Sequence, residues 1–385
     1  MRYQSEPMSD LAPKSRTAFH ALLDLLRTAG DTHFTMQRGV IEEGTAAEGY
    51  RFLLHLLAAG TEHHLEGDPE RPLFTRIVSS GRKVLGDNPD ALYYWARIDG
   101  RRTYRVRGAL DGAVYTSFTV HGIDPGGGSM ERVISDVNDR QLQIAADGTY
   151  EVIVSADRHD GNWIRTEADA TSLITRHYFE RPVSIATDVD PRVRLRIDPI
   201  DAPSPPPPWS DNAMAARLEA VARYVRANTL GMPAPGEAPA YAFVSRVPNV
   251  LPKPASFRAA NVDTVGAVDI HYAMAPFLLQ PDQALLMEGR LPPCGFANVA
   301  LWNMHMQTLE YRYRRTSLNR AQMQFAADGS FRVAIAHRDP GVPNWLDPEG
   351  HMLGTVFWRI LLPEEEPSEI NSTVVPIDSL RKADV

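Results

Sequence analysis

Two histidines in strand-like segments of this 385-residue chain have neighbours that could support acid/base chemistry. His121 shares the polar side of an alternating strand with Tyr115 and Ser117, and Asn303 precedes His305 by two positions on one strand face. Because an imidazole titrates near neutral pH, either histidine is a candidate general base. The alternative is a histidine whose hydrogen bonds are satisfied at the surface or between domains.

Two polar loops contain further titratable side chains. His159 and Asp160 are adjacent in the first loop, and His337 begins the run His337-Arg338-Asp339 in the second. An imidazole beside a carboxylate can transfer a proton, although polar loops often contain such residues without a function. The candidate catalytic residues are therefore His121, His305, His159, His337 and Asp160.

Tryptophan and arginine recur at matching places in the two halves of the chain. Trp163 and Trp345 each follow an asparagine, and Arg176 and Arg359 each stand beside aromatic residues. A tryptophan can stack on a sugar or an apolar ring, or it can fill a core or corner position. An arginine fork can hold a ligand or loop carbonyls. The candidate substrate-binding residues are Tyr115, Ser117, Asn303, Trp163, Trp345, Arg176 and Arg359.

The sequence lacks the motifs that announce a metal or a cofactor. It contains no P-loop, no dinucleotide fingerprint, no Gly-x-Ser-x-Gly elbow and no His-x-His pair. Cys294 is the single cysteine, so an intramolecular disulfide and a thiolate cluster are excluded. We therefore predict no metal site and no cofactor.

The composition is that of a globular protein. Hydrophobic residues make up 43% of the chain, enough for sizeable cores, and the net charge of -8 disfavours a nucleic-acid partner. No segment approaches the roughly 20 apolar residues of a membrane-spanning helix. Residues 1–18 carry charges throughout and lack the apolar run of a signal peptide, so the expected location is the cytoplasm.

The hydrophobic period changes along the chain. Apolar residues spaced as on a helix face predict helices within 18–30, 52–60 and 71–86. From Leu92 onward, alternation predicts strands separated by turns such as Asp147-Gly148. The run of prolines ending at Pro208 predicts a stiff spacer, and a helix is expected after it.

The second half of the chain repeats motifs of the first half. Residues 145–150 (AADGTY) match residues 326–331 (AADGSF), Asn162-Trp163 matches Asn344-Trp345, and Arg176 matches Arg359. A turn, a strand pattern and an Asn-Trp pair in the same order predict a duplicated domain.

The repeated motifs resemble the family called domain of unknown function 1214. The residues that carry the resemblance are Asp147-Gly148-Thr149, Asn162-Trp163-Ile164 and Arg176-His177-Tyr178-Phe179, and Asp328-Gly329-Ser330, Asn344-Trp345-Leu346 and Phe357-Trp358-Arg359. The resemblance covers residues 90–182 and 265–367. It implies a jelly-roll-like β-sandwich for each copy and assigns no catalytic residue.

The sequence therefore predicts a mainly β protein with an α-helical N-terminal segment and two tandem jelly-roll-like β-sandwich domains. The expected divisions are a helical segment at 1–88, a first β-sandwich domain at 89–200, a proline-rich linker and helix at 201–235, a second β-sandwich domain at 236–372 and a tail at 373–385.

Three functions are compatible with the sequence. The leading expectation is an enzyme, a hydrolase, lyase or isomerase, that uses acid/base chemistry without a cofactor on a small, partly hydrophobic organic molecule. The alternatives are a protein that binds a sugar or a lipophile without catalysis, and an assembly protein that forms homo-oligomers. A sandwich fold does not choose among them.

Overall fold

A computed structural model describes residues 13–35, 43–123, 132–201, 203–233, 237, 241–257 and 269–382. Two helices come first, and a third stands between two β-domains. The helices are α1 (Pro13–Thr32), α2 (Glu43–Gly60) and α3 (Asp211–Ala227). The strands of the first domain are β1 (Thr75–Arg76), β2 (Ala91–Arg97), β3 (Tyr104–Ala109), β4 (Tyr115–Gly122), β5 (Arg132–Asn138), β6 (Thr149–Ser155), β7 (Trp163–Arg165), β8 (Ala170–Tyr178) and β9 (Leu195–Pro199). Those of the second are β10 (Ala255–Ser256), β11 (Ile270–Leu278), β12 (Gln283–Arg290), β13 (Phe296–Trp302), β14 (Ser317–Asn319), β15 (Ser330–Ala336), β16 (Trp345–Leu346), β17 (Leu353–Leu361) and β18 (Asn371–Pro376).

The two domains share one topology. The five-stranded sheets have the orders β1-β2-β8-β4-β5 and β10-β11-β17-β13-β14, and the four-stranded sheets have the orders β7-β6-β3-β9 and β16-β15-β12-β18. Each strand of one domain therefore has a counterpart at the same place in the other. The predicted duplication is confirmed. The predicted fold class is confirmed too: a mainly β chain with helices at its N-terminal end and two tandem jelly-roll-like sandwiches.

Each domain has its own core between its two sheets. In the first, Val106 and Val152 from the four-stranded sheet pack with Phe118 from the five-stranded sheet. In the second, Met287 packs with Val299 in the same way. Because side chains alternate across a strand, the residues between these core positions point to the opposite face of their sheet.

The repeated motifs have structural roles. Gly148 and Gly329 sit in the hairpin turns with φ of 80° and 81°, a region that glycine enters without strain. The Asn162 amide donates to the carbonyls of Gln143 and Glu151 over 2.8 and 3.0 Å. Asn344 makes the matching pair of bonds in the second domain. The asparagine of the Asn-Trp motif therefore fastens a loop to the hairpin.

The five-stranded sheets of the two domains pack against each other. In each domain, the surface of the five-stranded sheet that contacts the other domain is called the inner face. One apolar cluster contains Tyr115 and Tyr178 from the first domain together with Phe296 and Phe357 from the second. As a result every residue of β4 and of β13 is buried, the inner-face residues as well as the core residues.

The three helices pack together beside the domains. Leu25 of α1, Leu53 of α2 and Val221 of α3 share one apolar cluster. The Asp211 carboxylate accepts the backbone N–H of Ser15 over 2.9 Å and so caps α1. In the described part of the chain, no helix combines the length and apolar character that crossing a membrane requires.

Two segments differ from the sequence prediction. Residues 71–86 were expected as a third helix, and that prediction is wrong. Thr75–Arg76 form β1, because the edge of β2 offers hydrogen bonds and β-branched residues suit a strand. The tail expected after residue 372 instead continues β18, which pairs with β12 through Pro376 and leads into a 3₁₀ turn at Ile377–Lys382. Residues 1–12 and 383–385 lie outside the described residues.

Candidate functional site

Matching polar residues cross the two inner faces. In the first domain Tyr93, Arg176, Ser117 and Asn138 pair across neighbouring strands. The residues in the same positions of the second domain are Tyr272, Arg359, Asn298 and Asn319. The alignment also places His121 opposite Ser172 and Trp302 opposite Thr355, so the counterpart of His121 is Trp302 and not its neighbour Asn303.

An aspartate from each domain binds the polar residues of the other. The Asn298 and Asn319 amides donate to the Asp90 carboxylate over 3.0 and 2.9 Å. In the opposite direction, the Asn138 amide and the Tyr115 hydroxyl donate to the carboxylate of Asp269 over 2.8 and 3.1 Å. Asp90 precedes β2 and Asp269 precedes β11, so this is a reciprocal exchange. Tyr115 therefore joins the domains.

Arg359 and a buried lysine attach the second domain to the chain before β2. The Arg359 guanidinium donates to the carbonyl of Gly86 over 3.0 Å. Lys83, 1% exposed, donates to the carbonyls of Thr308 and Leu309 over 2.9 and 2.6 Å. Burial lowers the pKa of Lys83, although the Asp87 carboxylate opposes that effect. The geometry of these cations is that of structural links.

The candidate histidines lie in different parts of the molecule. His305 stacks on Phe52 of α2, and its Nε2 lies 2.7 Å from the Thr45 carbonyl oxygen; burial lowers its pKa. The Asn303 side chain accepts the His305 backbone N–H over 3.0 Å and so shapes its own loop. His121 lies on β4 with 0% exposure, and burial lowers its pKa to about 3.

The remaining candidates belong to the ends of the four-stranded sheets. His159 and Asp160 lie in the loop before β7, where His159 is partly buried and Asp160 is exposed. In the second domain the Nε2 of His337 lies 3.1 Å from the carbonyl oxygen of Leu279. The indole of Trp163 donates to the Ser155 hydroxyl over 3.0 Å, and that of Trp345 donates to the Ala336 carbonyl over 2.8 Å. These contacts fit corner tryptophans.

The structure thus brings Tyr115, Ser117, His121 and Arg176 onto one inner face. It places His305 against α2 and Asn303 in the loop that carries His305, and it puts the loop histidines at the outer sheets of separate domains. The expected meeting of His121, His305 and a loop histidine does not occur among these contacts.

Two cavities lie at equivalent places on the four-stranded sheets. The first, about 590 Å³, adjoins Gln143, Ala145 and Thr149; the second, about 220 Å³, adjoins their counterparts Gln324, Ala326 and Ser330. We call them the first and second grooves. None of the candidate catalytic residues is among the described residues that line them.

Arginines dominate the charge of the first groove. Arg107, Arg194 and Arg196 line it, with Glu151 as the one carboxylate among its described lining residues. Arg107 stands directly opposite Arg196 on the neighbouring strand, and like charges in that position destabilise a sheet. Glu151 accepts from Arg107 over 2.9 Å. Each guanidinium has five N–H donors, so these arginines can bind a further anion.

A tyrosine of the sandwich core adjoins the first groove. Tyr150 is 5% exposed, and its hydroxyl has no hydrogen-bond partner among the described residues. Burial raises the pKa of Tyr150, so the hydroxyl keeps its proton and can donate. Its ring packs over Gly108, where a Cβ would lie 2.4 Å from the hydroxyl oxygen. The counterpart in the second domain, Phe331, has no hydroxyl.

Comparisons with known proteins relate the chain to one protein family. A model of a protein family of unknown function, DUF1214, matches residues 95–181 and 284–365. The crystal structure of an uncharacterized protein from Burkholderia cenocepacia is 32% identical, covers 96% of this chain and 99% of its own, and superposes with a TM-score of 0.83. The chain belongs to the DUF1214 family.

More distant comparisons add no functional information. A crystal structure from Vibrio parahaemolyticus is 12% identical, covers 85% of this chain and 98% of its own, and has a TM-score of 0.46. No curated protein matches the chain.

The two DUF1214 segments contain only part of the features described above. They include Arg107, Tyr150, His121 and both inner-face arginines, whereas Arg194, Arg196 and Asp269 lie outside them. Sequence reasoning missed the groove arginines. Their signal was the alternation of arginine with apolar residues in 105–107 and 192–197, which predicts charged residues on one face of a strand.

Proposed function

We propose that this protein binds a small organic anion in the first groove. The observation that carries the proposal is the pair of directly opposed arginines, Arg107 and Arg196, at the rim of the larger cavity. The Asp198 carboxylate lies 3.8 Å from Arg107 and 2.7 Å from Arg196 and offsets part of their repulsion. A bound carboxylate or sulfonate would offset more of it, and Arg forks suit such planar or trigonal anions.

The size and floor of the groove indicate the rest of the ligand. A volume of about 590 Å³ falls within the range of small-molecule sites, roughly 300–1,000 Å³. Gly108, Ala109, Ala145 and Leu195 line it with little polar surface. An anion with a flat apolar body would rest on these residues while its charged group faces the arginines.

The carboxylates that already pair with the groove arginines are compatible with this proposal. Arg196 pairs with Asp198 over 2.7 Å, and Arg194 pairs with Asp111 over 2.8 Å. These arginine side chains are 74% and 67% exposed, and ion pairs at such exposure contribute little to stability. A ligand can therefore share or replace them at low cost.

The test uses benzoate as the probe and benzyl alcohol as its uncharged counterpart. Isothermal titration should detect benzoate binding and none for the alcohol. Arg196→Gln should weaken benzoate binding about tenfold or more, as expected for loss of a charge-assisted hydrogen bond. Arg332→Gln, in the second groove, is the matched control and should leave the affinity unchanged. Equal affinity for the two probes, or equal effects of the two variants, would contradict the proposal.

Three sequence-based expectations stay predictions. Acid/base catalysis by the named histidines requires a substrate that is turned over, and product analysis on any ligand of the groove would test it. A cytoplasmic location and homo-oligomer formation can be tested by fractionation and light scattering.

A further inference from the structure

His121 is a buried polar residue whose ring nitrogens are unsatisfied within the described part of the chain. It is 0% exposed, and neither Nδ1 nor Nε2 has a hydrogen-bond partner among the described residues. A neutral imidazole has one donor and one acceptor at opposite ends of the ring. Native proteins pair the great majority of such buried groups with protein, water or ligand. A bound molecule could therefore supply the partners that the described residues do not offer to these two nitrogens.

The strands around His121 are irregular on both sides. The pairing of β4 with β5 shifts between Val120 and His121, and its pairing with β8 shifts between His121 and Gly122. Such irregularities are frequent beside functional sites, where they redirect a side chain. In the second domain β13 keeps continuous register with β17 through Trp302.

The second domain satisfies the same position by another route. Trp302, the counterpart of His121, is 2% exposed, and its indole donates to the Asp87 carbonyl over 3.0 Å. It also packs on Phe357 with ring centroids 4.4 Å apart. The polar atom there has a protein partner, whereas the described residues offer none to the polar atoms of His121.

The charges near His121 are balanced. Arg176 donates to the Thr119 hydroxyl, which in turn donates to the carboxylate of Asp136 over 2.5 Å. One guanidinium therefore faces one carboxylate through a single hydroxyl. The imidazole adds no charge near neutral pH, since burial lowers its pKa to about 3. A charged guest would lack a counterion, and burying an unpaired charge is costly.

We propose that His121 anchors a second binding site, on the inner face of the first domain, for a small uncharged molecule that carries amide or hydroxyl groups. Such a molecule accepts from the protonated ring nitrogen and donates to the other nitrogen, alone or together with one water. The site is independent of the first groove, whose chemistry selects an anion.

The isosteric pair acetamide and acetate separates the two sites. In protein labelled with ¹⁵N-histidine, acetamide should shift the ring nitrogen resonances of His121, assigned by their absence in His121→Leu. Acetate should leave these resonances unmoved even if it binds the groove arginines. Anion binding at the groove is thus tested with benzoate, and binding at His121 is tested with acetamide. Failure of one proposal can therefore be distinguished from failure of the other.

Ligand-observed NMR on variants supplies the second measurement. His121→Leu and His121→Trp should each bind acetamide at least about tenfold more weakly than the unchanged protein. The second of these variants carries the residue that the second domain has at this position. If either variant unfolds at the same temperature as the unchanged protein, loss of folding is not the cause of its weaker binding. His159→Ala is the control and should bind acetamide like the unchanged protein.

Three results would overturn the proposal. They are equal responses of His121 to acetamide and acetate, no response to either, and a crystal structure grown with acetamide that shows ordered water alone on both ring nitrogens.

Discussion

The two copies of the β-domain have a groove at the same position, but the residues around it differ. In the first copy, Arg105, Ile153 and Ser155 occupy outward positions of the four-stranded sheet. Their counterparts Leu286, Ala334 and Ala336 are small or apolar. Ile377 and Leu380, from the C-terminal turn, cover that second surface and are 1% and 3% exposed.

The chain leaves the two sheets in different ways. After β9 it continues into the proline-rich linker, whose residues 203–208 are exposed. After β18 it folds back over the sheet. Duplication therefore left one surface open and rich in arginine, whereas the C-terminal turn partly covers the other. This difference teaches that access to the outer face of each four-stranded sheet depends on the segment after its last strand, in addition to the residues of the sheet.

The largest expected effect concerns the exchange of carboxylates between the copies. Asp90→Ala should destabilise the protein by about 2–4 kcal/mol, because the buried amides of Asn298 and Asn319 each lose a charged acceptor and keep only a neutral one. Asp269→Ala should cost about 1 kcal/mol, since Asp269 is only partly buried. Denaturant unfolding measures both. Equal losses would show that the two halves of the exchange have the same strength.

Opening the second groove should cost about 2 kcal/mol. Leu380→Ala removes a buried side chain from the C-terminal turn, and large-to-small changes in a core have costs of this order. The variant should also bind an apolar dye more strongly than the unchanged protein. Val189→Ala, at a fully exposed site, is the control for both measurements. If the dye response of Leu380→Ala matches that control, the turn does not close the groove.

A reciprocal exchange of Tyr150 and Phe331 tests the buried hydroxyl of Tyr150. Tyr150→Phe should leave stability unchanged or raise it by about 1 kcal/mol, because an unpaired buried hydroxyl is removed. Phe331→Tyr should lower stability by about 1–2 kcal/mol, since Phe331 is 1% exposed and a new hydroxyl there lacks a partner. Thermal unfolding compares them. Loss of stability in both variants would mean that the Tyr150 hydroxyl has a partner.

The smallest effect concerns the link between the helices and the second copy. The Nε2 of His351 lies 3.1 Å from the Glu48 carboxylate. Burial alone would lower the pKa of His351, but the hydrogen bond and charge of Glu48 outweigh it and raise the pKa above the usual value. A raised folded pKa stabilises the protein below the unfolded value, and that gain is lost as the pH rises through the folded pKa.

The unchanged protein should therefore exceed Glu48→Gln in stability by about 1 kcal/mol at pH 6 and lose this advantage above the folded pKa of His351. Unfolding at a series of pH values measures the difference. An advantage that grows with pH would contradict the sign of the shift.

The repeat and the sandwiches could be predicted because their signals are local. Asp147-Gly148 and Asp328-Gly329 mark hairpins, and alternation marks the strands around them. The burial of His121 could not be predicted in this way. Alternation shows that Tyr115, Ser117 and His121 share a face, but only the packing of the second domain against the first decides that this face is buried.

The first groove was beyond the sequence for a related reason. The arginines of β3 and β9 come from distant segments, and their opposition exists only because these strands pair at the sheet edge. The wrong helix at 71–86 has the same origin. Its apolar spacing is real, but pairing of Thr75–Arg76 with β2 overrides the local preference.

The exchange between Asp90 and Asp269 also bears on how the chain arose. Each copy lends a carboxylate to the other from the same position in its fold, and the equivalent asparagines Asn138 and Asn319 receive it, which is the contact pattern of an isologous interface with two-fold symmetry. A single-copy forebear that carried both the aspartate and its receiving asparagine would have formed the same contacts as a homodimer. Duplication and fusion of its gene would then have freed each half to diverge, so that one now carries a histidine where the other carries a tryptophan.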